Sequence, residues 1–79
     1  MKLSYDPRYN IAYMRFRRKT AQVETIRVSD SLNVDLAPDG TIYGIEFLNA
    51  NEQLLAQDKG ALVVVNESLG ESREIELKR

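Results

Sequence analysis

The sequence predicts an α+β fold: an antiparallel β-meander with one short helix and a C-terminal β-hairpin. Three observations predict it. Leu32, Val34 and Leu36 alternate with Asn33 and Asp35, and similar short alternations recur before and after, the period-two signature of strands with one dry face. Turn residues, Asp6-Pro7 and Pro38-Asp39-Gly40 above all, separate these stretches at short intervals, which suits antiparallel neighbours. After Phe47 the period lengthens: Leu48, Leu54 and Leu55 stand among Asn49, Asn51, Glu52, Gln53 and Gln57, the spacing of a short helix.

In chain order, Lys2 to Asp6 forms a first strand with Leu3 and Tyr5 on one face. Asp6 to Asn10 is a turn, with proline at the second position of a type I turn. Ile11 to Arg17 is a second strand, with Ala12, Met14 and Phe16 toward the core and Tyr13, Arg15 and Arg17 toward solvent. Arg18-Lys19-Thr20 reverses the chain into a third strand from Ala21 to Val28. The apolar residues of that strand change parity between Val23 and Ile26, which calls for a bulge near Glu24-Thr25. After Ser29-Asp30-Ser31 comes the central hairpin, Leu32 to Phe47, whose turn places Gly40 at positive φ. Asn49 or Asn51 is expected to cap a helix of about two turns, ending at Asp58-Lys59-Gly60. Ala61 to Asn66 is a β-branched apolar strand, and Arg73 to Leu77 is its partner across a turn at Ser68 to Glu71.

The 79 residues make one domain with a modest core. There is no cysteine and no histidine. Disulfides, thiolate nucleophiles, Cys/His zinc sites and a histidine general base are thereby excluded within the chain. No run approaches the length of a membrane span and no signal-peptide core opens the sequence, so a cytoplasmic protein without a cofactor is expected. The formal net charge of −1 argues against a domain built as a basic nucleic-acid binder.

Tyr5-Asp6, Ala12-Tyr13-Met14-Arg15, Val34-Asp35-Leu36, Asp39-Gly40 and Gly44-Ile45-Glu46, in this order, resemble the family of small prokaryotic domains known as DUF 2283. The resemblance runs from Tyr5 to Ala50 and leaves the final hairpin outside it. It implies no assigned activity and no catalytic residues. It does imply an antitoxin-like role in a two-gene unit, with a small toxin-like protein as partner.

Three sets of residues are candidates for function. Asp35 and Glu46, with Asn33 and Gly44, form an acidic cluster that one strand register would bring to a single face. Two carboxylates and an amide can hold Ca²⁺ or Mg²⁺, or serve a small hydrolase if a pocket raises one pKa. The plainer reading is a solvated face on which Arg15 and Arg17 neutralise the acids across strands. Arg15, Arg17, Arg18 and Lys19, with Arg8 nearby and Tyr9 and Tyr13 for stacking, form a basic cluster able to contact phosphates. Leu62, Val63, Val64 and Val65 are apolar on both faces of one strand. A domain this small covers only one face of such a strand, so the run points to a homodimer interface. The expected function is a non-enzymatic protein-interaction module; no catalytic, cofactor or metal residue is assigned.

Overall fold

The structure, a computed structural model, describes residues 1–18 and 22–77. Lys19, Thr20 and Ala21, assigned above to the basic cluster, the reversal and the start of the third strand, lie outside them. The strands are β1 (Lys2–Asp6), β2 (Ile11–Arg15), β3 (Glu24–Ser29), β4 (Leu32–Leu36), β5 (Ile42–Leu48), β6 (Ala61–Asn66) and β7 (Glu71–Glu76). One α-helix, α1 (Ala50–Leu54), and a 3-10 turn at Asp58–Gly60 link β5 to β6. The first five strands form one sheet in the order β1-β2-β5-β4-β3, and β6 and β7 form a separate hairpin. Every pairing is antiparallel. This is the expected α+β class. No helix among the described residues is long and apolar enough to cross a membrane.

The five-stranded sheet is two local units joined once. β1 and β2 form a hairpin, β3, β4 and β5 form a meander, and β5 returns to pair with β2. The register sorts side chains into two faces. One row reads Leu3, Met14, Ile45, Val34 and Ile26 across all five strands, and the next reads Ser4, Tyr13, Glu46, Asn33 and Arg27. An apolar face and a polar face result, as the alternation in the sequence requires.

Local details differ from the sequence reading. β2 ends at Arg15, and β7 begins at Glu71. The register of β3 shifts between Arg27 and Ser29, next to its turn, and not near Glu24-Thr25. The bulge leaves Val28 exposed on an edge strand, where one unpaired residue disturbs nothing beyond it. A second shift, between Asp35 and Leu36 on β4, makes room for Tyr43 on β5, which is buried. The helix is a single short turn. Asn49 sits at its N-cap in the left-handed region, φ 56°, and makes no side-chain cap bond. An extended cap residue folds its side chain back over the first amides, and the left-handed one does not. Asn10, from the β1–β2 turn, takes over: its Oδ1 accepts from the Asn51 N–H at 2.6 Å and its backbone carbonyl accepts from the Ala50 N–H at 3.0 Å. The Tyr5 hydroxyl donates to Asn51 Oδ1, whose Nδ2 donates to the Pro7 carbonyl at 3.1 Å. So short a helix has no stability of its own; the first hairpin holds it.

The turn between β4 and β5 follows its chemistry. The Gly40 N–H donates to the Ala37 carbonyl at 2.9 Å, and Gly40 has φ 86°. Asp39 Oδ1 accepts from the Thr41 N–H at 3.0 Å and from the Thr41 hydroxyl at 2.6 Å, while Arg17 stands 3.4 Å from Oδ2. The two bonds from Thr41, aided by Arg17, hold the Asp39 carboxyl at about 2, below its usual value.

Two outcomes are expected at this turn. Gly40→Val lowers stability by about 1 kcal/mol or more in urea melts, whereas Gly40→Asn, which tolerates positive φ, costs less. No neighbour lies within 4 Å of an added Cβ there, so the loss is conformational. The depressed Asp39 pKa means that its charged form favours the folded state. Its contribution is therefore present above 3.8 and disappears as pH falls through about 2. Thermal melts of Asp39→Ala lie below those of the native chain at neutral pH and converge with them in acid.

Candidate functional site

On the polar face, β5 separates β2 from β4, so a β2 side chain reaches β4 only across the top of β5. Tyr13 does this. Its hydroxyl donates to Asp35 Oδ2 at 2.6 Å, and the Thr25 hydroxyl donates to Oδ1 of the same carboxylate at 2.6 Å. Gly44, opposite Asp35, is what lets the ring pass. A Cβ on Gly44 would stand 2.5 Å from Tyr13 Cζ and 2.8 Å from Cε2. Beside this bridge, Asn33 Nδ2 donates to Glu46 Oε1 at 2.9 Å. Loss of surrounding water, and then the Asp35 carboxylate that accepts its proton, push the Tyr13 phenol above its ordinary pKa.

The register thus brings Asp35 and Glu46 to one face, as expected. Their partners are not those expected. Tyr13 and Thr25 hold Asp35, and Asn33 holds Glu46; Arg17 goes to Asp39 and Thr41. Cross-strand hydroxyl and amide donors were already in reach in the register, and they bond without the entropy loss of a long arginine side chain. Among the described residues, no group of three or more acids gathers as metal ligands would. The arrangement fastens strands together: each carboxylate bridges two or three of them.

The basic cluster is also rearranged. Arg8 lies in the turn at the opposite end of the first hairpin, where it pairs with Asp6 and sits 5.7 Å from the centre of the Tyr9 ring. It does not stand near Arg17. Lys2 takes its place, directly across from Arg15. The sequence held no sign of this, because cross-strand neighbours depend on where the turn falls. Arg17 and Arg18 are exposed at the end of β2, with Asp39 beside Arg17.

The apolar face is only partly covered. The C-terminal hairpin alternates: Leu62 stands opposite Ile75 and Val64 opposite Arg73, while Val63 and Val65 stand on the other side, opposite Glu74 and Ser72. Leu62, Val64, Ile75 and Leu77 face Met1, Leu3 and Met14 across an open cleft of about 330 Å³. The Leu77 N–H donates to the Gly60 carbonyl at 3.0 Å, which carries the β6–β7 ladder one residue further. Neither apolar surface closes over the other. Val64 and Ile75 are each 51% exposed on the hairpin, and Phe16, Ile26 and Ile42 are 41%, 43% and 45% exposed on the sheet. Among the described residues, the buried apolar ones are Ala12, Ala37, Tyr43 and Ala50, and no large side chain is fully enclosed.

The surface area measures the same deficit. A compact monomer of this mass exposes about 4,900 Å², and this one exposes 6206 Å². Its radius of gyration is 14.0 Å, against about 12 Å for a compact chain of this length.

Residues 2–51 match the model of a protein family described as a protein of unknown function, DUF2283. The chain belongs to this family. No curated protein and no solved structure matches it. The DUF2283 region spans the whole five-stranded sheet and the start of α1. It therefore contains the Tyr13–Gly44–Asp35 bridge and the Asn10 clamp on the helix. The hairpin that faces the apolar cleft lies beyond it.

The bridge yields a sharp test. Gly44→Ala costs about 1–3 kcal/mol in urea melts, because it evicts the Tyr13 ring and leaves Asp35 short of a donor. In a Tyr13→Ala background the ring is gone, and Gly44→Ala then costs almost nothing. Equal costs in both backgrounds would show that the ring does not lie over Gly44.

Proposed function

We propose that this chain is a non-enzymatic protein-interaction module that docks through the apolar cleft between its sheet and its C-terminal hairpin. The observation that carries this reading is the unfinished core: two apolar surfaces of one small domain face each other without closing, and among the described residues no large side chain is fully buried. Contiguous exposed apolar surface on a small protein marks an interaction site. The antitoxin-like role implied by the family resemblance is a special case, with a small toxin-like protein as the occupant.

The two other readings have less support. For nucleic acid, Arg15, Arg17 and Arg18 share the sheet end with Asp35 and Asp39, so the positive field is broken there. For a hydrolase or metal site, Asp35 and Glu46 are engaged by neighbouring strands.

A polarity-sensitive dye such as bis-ANS tests the reading. At submicromolar chain concentration, dye emission rises and shifts to the blue while far-UV circular dichroism remains that of the folded chain. A monomeric chain that leaves the dye dark has closed its own cleft, and the reading fails. Binding of a labelled oligonucleotide that weakens steeply with salt would transfer the assignment to the arginine cluster.

A further inference from the structure

We propose that the occupant of the apolar cleft is a second copy of this chain, the two packing face to face about a twofold axis. This rests on the interaction-module reading above and names its partner. Two features of the molecule lead to it.

The first is area. The exposed surface, 6206 Å², exceeds that of a compact monomer by about 1,300 Å². A stable dimer of standard size removes about 800 Å² per partner. One face-to-face contact therefore accounts for most of the excess.

The second is self-complementarity of shape. A twofold interface needs one surface that carries both halves of the contact. Here the hairpin offers Val64 and Ile75, and the sheet offers Phe16, Ile26 and Ile42, all half-exposed. Within one chain the hairpin lies over Leu3 and Met14, toward the β1–β2 side. Ile26 belongs to the far edge strand, β3. The strip that a hairpin leaves bare on its own sheet is open to the hairpin of the other copy.

Light scattering coupled to size exclusion, run beside the dye assay over a concentration series, tests this. The expected result is a mass that doubles as concentration rises into the micromolar range, with dye emission falling in step. A dimeric mass with a dark dye throughout also supports the pairing, as a tighter one. A monomer at every concentration that still binds dye overturns the second copy as occupant and leaves the interaction module standing with another partner. A monomer that never binds dye overturns both.

Val64→Lys places a charge in the proposed contact and moves the monomer–dimer midpoint upward by about tenfold or more. Val63→Lys, on the other side of the hairpin, leaves it unchanged. The reverse pattern, with Val63→Lys dissociating the pair, would place the contact on the outer side and overturn the geometry. Should Val64→Lys lose its circular dichroism, the wild-type series decides alone.

Discussion

The pairing of β2 with β5 is the contact on which everything else rests. Of the two units it joins, one is a two-stranded hairpin, which is marginal in water on its own, and the other has only three strands. β2 and β5 are far apart in sequence, so closing them carries an entropic cost that local turns do not. The chain strengthens the joint from three directions. The Phe16 N–H donates to the Tyr43 carbonyl at 2.9 Å, just past the end of the ladder. Asn10 grips the helix that leaves β5. Tyr13 passes over β5 and anchors on β4. The polar face is therefore not idle surface: its carboxylates and hydroxyls hold the seam while the apolar face remains only partly covered.

This division bears on what the family region means. Matched residues 2–51 contain the seam and its three fasteners, complete. The hairpin that follows contributes little to holding the sheet and much to the shape of the apolar cleft. In physical terms, the family segment supplies a scaffold, and the segment after it supplies a second wall.

Much of this was legible in the residues. Period-two stretches located the strands, because the alternation of Cβ directions leaves no other way to keep one face dry. Asp39-Gly40 announced the turn because so few residues accept its dihedrals. The Gly44 passage was written in the sequence as well, but only as a glycine in the middle of a strand, a known sign of close approach. What approaches it depends on a register between β2 and β5 that no local pattern encodes. The same limit explains the cap. Asn49 and Asn51 look like helix starts when read locally, and the residue that does the work lies some forty positions earlier. Arg8 and Lys2 exchanged places for that reason too: pairing across a hairpin follows from its turn, and small shifts there move every neighbour.

The edges of the main sheet have a consequence of their own. β3, at one border, carries Glu24 and Arg27 and a bulge at Val28; β1, at the other, begins with Lys2 and runs into Pro7. Charges, a proline and a kink are features that stop a further strand from adding sideways. A sheet blocked at both borders cannot grow into a ribbon, however sticky its broad side is. Whatever joins the five-stranded sheet is steered to its broad side and away from its borders. That sheet can thus leave apolar surface open without its borders inviting fibres.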